Sequence, residues 1–236
     1  MVKTSKSSGN NSGQSGKLIV FEGVEGCGKT TQLRRLRDWL TQSSWGEFLR
    51  ERIQGEPVMV TREPGGTSLG LELRRLLLER GNQKTIQERT ELLLYAADRA
   101  QHVEELLKPN LLKGMVILCD RFTDSTIAYQ GYGRGLNLSL ISQLNDVATN
   151  GLKSDLTVWL DIDVEIGLAR KREQGEVTIM EEANLDFHLR VQQGFTELAK
   201  AHPLRIIRVD ANQDEELIAE QIQIILNTKF TQWYNH

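Results

Sequence analysis

The stretch that most constrains this chain is eight residues long, Gly23-Val24-Glu25-Gly26-Cys27-Gly28-Lys29-Thr30. It follows the apolar run Leu18-Ile19-Val20-Phe21 and opens a helical segment, the strand-to-helix context that a G-x-x-x-x-G-K-[ST] match requires. Each residue type has a physical reason. Glycines let the backbone turn its N–H groups inward around an anion, and the start of the following helix adds a favourable dipole for a phosphate. Lys29 is placed to reach the outer phosphates of a nucleotide, the Thr30 hydroxyl is the expected magnesium ligand, and Thr31 continues the helix behind it. The metal's second ligand should be a carboxylate ending an apolar strand, and Val116-Ile117-Leu118-Cys119-Asp120 supplies Asp120.

Such a cradle needs a sheet behind it, and the rest of the chain provides the pattern for one. From Lys17 onward, short β-branched or apolar runs alternate with longer amphipathic segments, which predicts an α/β fold with a parallel sheet wrapped by helices. Strands are expected at 17–22, 57–61, 115–119, 156–161 and 205–209. Helices are expected at 29–42, 68–80, 87–108, 137–149, 163–172, 184–201 and 214–229, with Ser68, Asn137 and Asp214 as capping residues. The architecture predicted is the three-layer P-loop NTPase fold, a five-stranded parallel sheet flanked by helices. Residues 43–56 are polar and hold two glycines, so they read as a surface connection. At 236 residues and 39% hydrophobic, one domain over 17–236 can bury a full core. Residues 1–16, almost entirely Ser, Gly, Asn, Gln and Lys, read as a disordered tail.

Charge and cysteine usage narrow the setting. With 29 basic and 32 acidic residues the net charge is −3, which points to no nucleic-acid or membrane surface, so an anion must be held by a local cluster. The longest apolar runs, of about five to seven residues, fall far short of the roughly 20 a membrane helix needs. Cys27 and Cys119 have no metal-ligand spacing and fit a reducing compartment, with the cytoplasm as default. Inside the cradle, backbone amides and Lys29 are expected to lower the Cys27 thiol pKa.

A cradle alone does not separate a kinase from a GTPase or a motor, and three arginine-bearing segments supply the missing information. Thr61-Arg62-Glu63-Pro64-Gly65-Gly66-Thr67 leads into a helix carrying Arg74, Asp120-Arg121-Phe122 closes the third strand, and Tyr95 precedes Arg99 by four residues. Residues four apart share a helix face, so Tyr95 can stack on a planar ring while Arg99 bonds its edge. Singly, Tyr95 would read as core and Arg99 as a solvated charge.

Together with Ala128-Tyr129-Gln130-Gly131, these segments resemble the thymidylate kinase family, from Leu18 to about residue 210. The resemblance implies phosphorylation of dTMP to dTDP with ATP and Mg2+. It also implies that Tyr95 stands where the family usually has a thymine-stacking Phe, and that Arg99 bonds the base carbonyl. Arg74 and Arg121 match arginines on the dTMP phosphate, Glu25 faces the sugar 3′-hydroxyl or the metal shell, and Ser125 and Gln130 line the base and sugar side. A homodimer through packed helices is implied too, with the Leu-rich faces at 68–80 and 87–108 as candidates. Gly26 stands where one subgroup carries an arginine aimed at the transferred phosphoryl. This chain is similar to the other subgroup, with its basic residues in a lid near 170–182, so Arg170 and Arg172 join Lys29 and Arg121 as expected catalytic cations. It departs at 176–181, where the family usually has an acidic-arginine pair. The competing readings are a same-fold kinase of another nucleoside monophosphate and a P-loop switch or binding module, and the latter lacks an Asn-Lys-x-Asp guanine motif.

Overall fold

A computed structural model describes residues 16–53, 55–78, 86–173 and 184–234. Five strands, β1 (Lys17–Glu22), β2 (Val58–Arg62), β3 (Val116–Asp120), β4 (Leu156–Asp161) and β5 (Ile206–Asp210), form one sheet in the order β2-β3-β1-β4-β5. Every pairing is parallel. Along β1, Leu18, Ile19, Val20 and Phe21 are all fully buried. Ile19 and Phe21 join one core cluster while Leu18 and Val20 join the other, so helices cover both sheet faces and the strand reads as an unbroken apolar run. The expected fold is the observed one. Strands β2, β3 and β5 each run one residue later than expected, which sets Arg62 and Phe21 in register with Asp120 at the edge where the cradle leaves β1.

The helices are α1 (Lys29–Gln42), α2 (Ser44–Arg52), α3 (Ser68–Leu78), α4 (Glu88–His102), α5 (Lys108–Leu112), α6 (Thr123–Thr126), α7 (Leu138–Thr149), α8 (Val164–Glu173), α9 (Leu185–Ala201) and α10 (Glu215–Tyr234). Asn137 Oδ1 accepts from Leu140 N at 3.0 Å and Asp214 Oδ1 from Glu216 N at 2.9 Å, as capping residues should. For α3 the cap is Thr67, whose Oγ1 accepts from Gly70 N at 3.0 Å, and Ser68 is already helical.

Several segments differ from the sequence expectation, among them the helical stretch at 123–133, where none is expected, and α10, which runs on to Tyr234. The connection at 43–56 contains α2, because Trp45, Phe48 and Leu49 repeat at helical spacing and give it an apolar face. Trp45 meets Phe230 edge-on at 5.3 Å and donates from Nε1 to Asn227 Oδ1 at 2.7 Å, docking α2 on α10. Gly46 is required there, since a Cβ would lie 2.3 Å from Leu40 O. The segment expected as one helix over 87–108 widens into a π-helical stretch at Val103–Leu107, where Lys108 N–H donates to Val103 O. Pro109 follows directly, and a proline ring collides with the carbonyl four residues back, so the wider turn accommodates it. A second π-helical stretch, Ile127–Gly133, follows α6 and carries Tyr129 and Gln130. Gly16 belongs to the folded part, its N–H donating to Leu111 O at 2.8 Å. The remainder of the expected tail (1–15), the last two residues of the helix expected at 68–80, and 174–182 of the expected lid lie outside the described residues.

Candidate active site

The cradle rises from the centre of the sheet. Lys29 Nζ spans it, donating to Gly23 O at 3.0 Å and Val24 O at 3.1 Å and lying 3.4 Å from Cys27 Sγ. Gly26 has φ of 73°, and a Cβ there would lie 2.0 Å from the carbonyl oxygen of Gly167 on α8. The loop therefore rests on the helix backbone, and α8 excludes a side chain at position 26. Val24 and Cys27 are buried beneath the loop. Burial pushes the Cys27 thiol up despite Lys29 beside it, so the expected low thiol pKa is not what the site provides.

A cleft of 480 Å³ opens above the cradle, within the size range of ligand sites. Glu25, Gly26, Gly28, Lys29, Thr30 and Thr31 line its floor. Arg74, Tyr95, Arg99, Arg121, Ser125 and Gln130 line the rest, as do Arg62, Glu63 and Tyr129. All seven residues expected at the acceptor end thus share one cavity with the cradle. Of the basic run on α8, Lys171 lines the cleft while Arg170 and Arg172 are exposed.

Arg121 is the hub. Its φ is 70°, a left-handed backbone that costs a non-glycine residue about 1 to 2 kcal/mol. Glu22, fully buried at the end of β1, fixes the turn: Oε1 accepts from Phe122 N at 2.9 Å and Ser125 N at 3.0 Å, and Oε2 from Ser125 Oγ at 2.5 Å. The Arg121 guanidinium donates to Glu25 Oε1 at 2.9 Å, Ser125 Oγ at 3.1 Å and Tyr129 Oη at 3.1 Å, and lies 4.8 Å from the centre of the Tyr129 ring. Tyr129 Oη also donates to Glu25 Oε2. Burial opposes charge on Glu25, but Arg121, then Lys29 and the Tyr129 hydroxyl, outweigh it and hold the carboxyl below the ordinary range. Burial likewise works against the Arg121 cation, and Glu25 overcomes it, so this arginine stays charged.

Arg99 is held differently from a surface charge. Its side chain is 2% exposed, with Nε donating to Glu63 Oε2 at 2.8 Å, Nη1 to Asn145 Oδ1 at 2.9 Å and Nη2 to Phe122 O at 3.0 Å. Those bonds occupy three of the five guanidinium N–H groups. Arg74 donates from Nη1 to Pro64 O at 3.0 Å, and its pKa is pulled down by burial and then by Arg62. The two arginines line the same cleft and repel each other, a repulsion that an anion between them would relieve. Nothing local in the sequence shows that the end of β2 faces the cradle, so the part played by Arg62 emerges only from the fold.

Two observations bear on a cation. Asp120 Oδ1 is buried and has no hydrogen-bond partner among the described residues, and Asp120 lines the same cleft as Thr30. Among the described residues no group of three or more His, Cys, Asp or Glu comes together, so a metal here would draw most of its ligands from phosphates and water. The hard oxygen donors of Thr30 and Asp120 suit Mg2+ held in that way.

Compared with known proteins, the chain matches the family model for thymidylate kinase over residues 21–222. The chain belongs to the thymidylate kinase family. The thymidylate kinase of Cyanothece sp. is 58% identical over 226 residues, covering 93% of this chain and 97% of that protein. That of Nostoc punctiforme is 62% identical over 212 residues, covering 89% and 95%. The crystal structure of thymidylate kinase from Ehrlichia chaffeensis superposes with a TM-score of 0.71 at 32% identity, covering 90% of this chain and 99% of that one. Membership gives the two halves of the cleft a common logic: a kinase of this family needs a donor cradle and an acceptor wall facing each other, and both are built on the same edge of the sheet. No helix among the described residues is long and apolar enough to cross a membrane.

Proposed function

We infer that this chain transfers the terminal phosphoryl group of ATP to the phosphate of dTMP, giving dTDP and ADP. The observation that carries this reading is the sharing of one cleft by the cradle and by an acceptor wall of Arg62, Arg74, Arg121 and Tyr95. The ATP phosphates lie on the amides of 23–31, from Gly23 to Thr31, with Lys29 exchanging loop carbonyls for phosphate oxygens. Thr30 and Asp120 would hold Mg2+ directly or through water, and a bound ion would neutralise charge on the phosphates. On the acceptor side Arg74 and Arg121 take the dTMP phosphate, Tyr95 stacks on thymine, and Arg99 and Gln130 meet the base edge. Ser125 and Glu25 face the sugar.

Phosphoryl transfer passes through a loose transition state with charge on the equatorial oxygens, so alignment and cations matter more than a strong base. The acceptor phosphate, with a second pKa near 6, is a nucleophile at neutral pH and needs no general base. Lys29 and Arg121 supply charge from the floor and wall, and the run Arg170-Lys171-Arg172 supplies it from the lid. Closure of the lid excludes water, which would otherwise accept the phosphoryl group. Exposed Leu69, Leu71 and Leu76 on α3 and Leu93 on α4, each 44–56% accessible, favour a homodimer through these helices. Two free thiols, Cys27 and Cys119, accord with work in the cytoplasm. Coupled detection of ADP tests the reading: release should follow dTMP in preference to dCMP, dGMP and AMP, and no release with dTMP would overturn it.

A further inference from the structure

Gln130 comes from the π-helical stretch after α6 and lines the cleft, and Glu91, from the first turn of α4, meets its side chain from outside the lining. Gln130 is 2% exposed, and its Nε2 donates to Glu91 Oε1 at 2.9 Å. The other oxygen, Glu91 Oε2, accepts from Arg134 Nη2 at 3.3 Å, and Arg134 stands 5.1 Å from the centre of the Phe187 ring. The Glu91 side chain is 12% exposed.

The direction of the Gln130 amide follows from this chemistry. A carboxylate paired with a guanidinium offers acceptors only, so the NH2 end of the amide is the end that can face it. Oε1 is then the atom turned away from Glu91, the one acceptor this side chain can offer to the cleft it lines with Tyr95 and Arg99. Pyrimidines differ at the edge such an acceptor reads. Thymine and uracil present an N3–H donor between two carbonyls, whereas cytosine presents a bare N3 acceptor beside an amino group. A fixed acceptor pairs with the first arrangement and leaves two acceptors opposed in the second.

We propose that Glu91, braced by Arg134, is a specificity-determining positioning residue that locks the Gln130 amide with its oxygen toward the base and so selects keto pyrimidines over amino pyrimidines. This rests on the base lying between Tyr95, Arg99 and Gln130. The lock acts on the N3 edge and is blind to the C5 methyl group that separates thymine from uracil.

The test compares kcat/KM for dTMP, dCMP and dUMP in the full-length wild type, Glu91→Gln and Gln130→Ala. Gln at 91 can accept or donate, so it releases the Gln130 amide to turn. Glu91→Gln should reduce the dTMP-over-dCMP preference at least tenfold, which is about 1.4 kcal/mol and within the cost of one mismatched buried hydrogen bond. The absolute kcat/KM for dCMP should rise, a gain that general damage to the fold cannot produce. The dTMP-to-dUMP ratio and the KM for ATP should stay within about threefold. A folded Glu91→Gln protein with its dTMP-over-dCMP preference within threefold of wild type overturns the proposal. If that variant does not fold, Glu91→Asp keeps a carboxylate for Arg134 but withdraws it from Gln130. It should reduce the preference at least threefold, and an unchanged ratio overturns the proposal equally. Gln130→Ala should raise the dTMP KM at least tenfold; an unchanged KM would overturn the placement of the base itself, and with it the role of Glu91.

Discussion

Replacing Glu63 by Gln keeps the shape of the side chain and removes only its charge, which makes it a direct probe of the buried network behind the acceptor wall. Glu63 is 4% exposed and bonds two partners, Arg99 through Oε2 at 2.8 Å and His102 Nδ1 through Oε1 at 2.9 Å. His102 Nε2 lies 2.8 Å from Thr61 Oγ1, so a histidine tautomer change can preserve both hydrogen bonds when a Gln amide replaces the carboxylate. What the variant loses is the counter-charge of a fully enclosed guanidinium. Removing one member of a buried ion pair typically costs 3–5 kcal/mol. Asp98 lies close by, with its pKa pushed up to about 6 by burial and then by Glu63 itself. At pH 7.5 Asp98 is ionised in both proteins and its charge near Arg99 remains when Glu63 is neutral, so the lower figure, about 3 kcal/mol, is expected. For a chain of this size that lowers Tm by about 6 to 12 °C. Thermal unfolding at pH 7.5 measures it, and kinetics should find the dTMP KM raised more than the ATP KM, since Arg99 and Pro64 line the acceptor end. A Tm within about 2 °C of wild type would refute the reasoning, because it would mean that Arg99 does not need Glu63 to remain buried.

Two further outcomes follow from other parts of the site. Replacing Arg170, Lys171 and Arg172 together by Ala should lower kcat at least a hundredfold with little change in dTMP binding, in line with the 10³–10⁵ contributed by arginine fingers; a kcat within about threefold would leave the charge to Lys29 and Arg121. Glu22 has its pKa raised from 4.5 to about 7, chiefly by burial. The folded protein therefore holds a proton that the unfolded chain has lost, and stability present below about pH 4.5 declines by about 3 kcal/mol as pH rises through 7. Glu22→Gln, which can keep the bonds to Phe122 N and Ser125, should flatten that part of the Tm profile between pH 5 and 8, and an unchanged slope would assign the decline to other groups.

The sheet and the cradle were legible because their signals are local: apolar runs of strand length, one glycine-rich turn, and Asp120 at a strand end. The helix α2 was not, since polar residues and two glycines masked the spacing of Trp45, Phe48 and Leu49, whose partner surface on α10 lies about 180 residues further along the chain. Acceptor residues were named from combined segments, but the manner in which they are held was beyond reach. Arg99 is paired with a residue 36 positions earlier and Gln130 with one 39 positions earlier, and neither pairing leaves a periodic trace. The pKa of Cys27 was misjudged for a related reason. Its neighbours in sequence are amides and a lysine, while its burial comes from the core cluster that it joins in the fold.

The cations of the cleft are held in two states, and this difference assigns them different roles. Arg121 is already compensated: Glu25 pairs with it, Tyr129 and Ser125 accept from it, and Glu22 fixes the left-handed backbone on which it stands. Arg62 and Arg74 have no carboxylate partner among the described residues, and Arg62 disfavours the charge of Arg74. An incoming monophosphate dianion therefore gains most at the Arg62 and Arg74 wall, where it relieves a repulsion rather than competing with an existing pair. Arg121, by contrast, cannot swing out to meet the ligand, because its turn is tied to the end of β1 through three hydrogen bonds to Glu22. On the proposed function it stands between donor and acceptor, where its bond to Glu25 can be exchanged for phosphate oxygens. Loss of the uncompensated pair should thus weaken dTMP binding, whereas loss of Arg121 should act on kcat, as expected for a group whose interaction strengthens in the transition state.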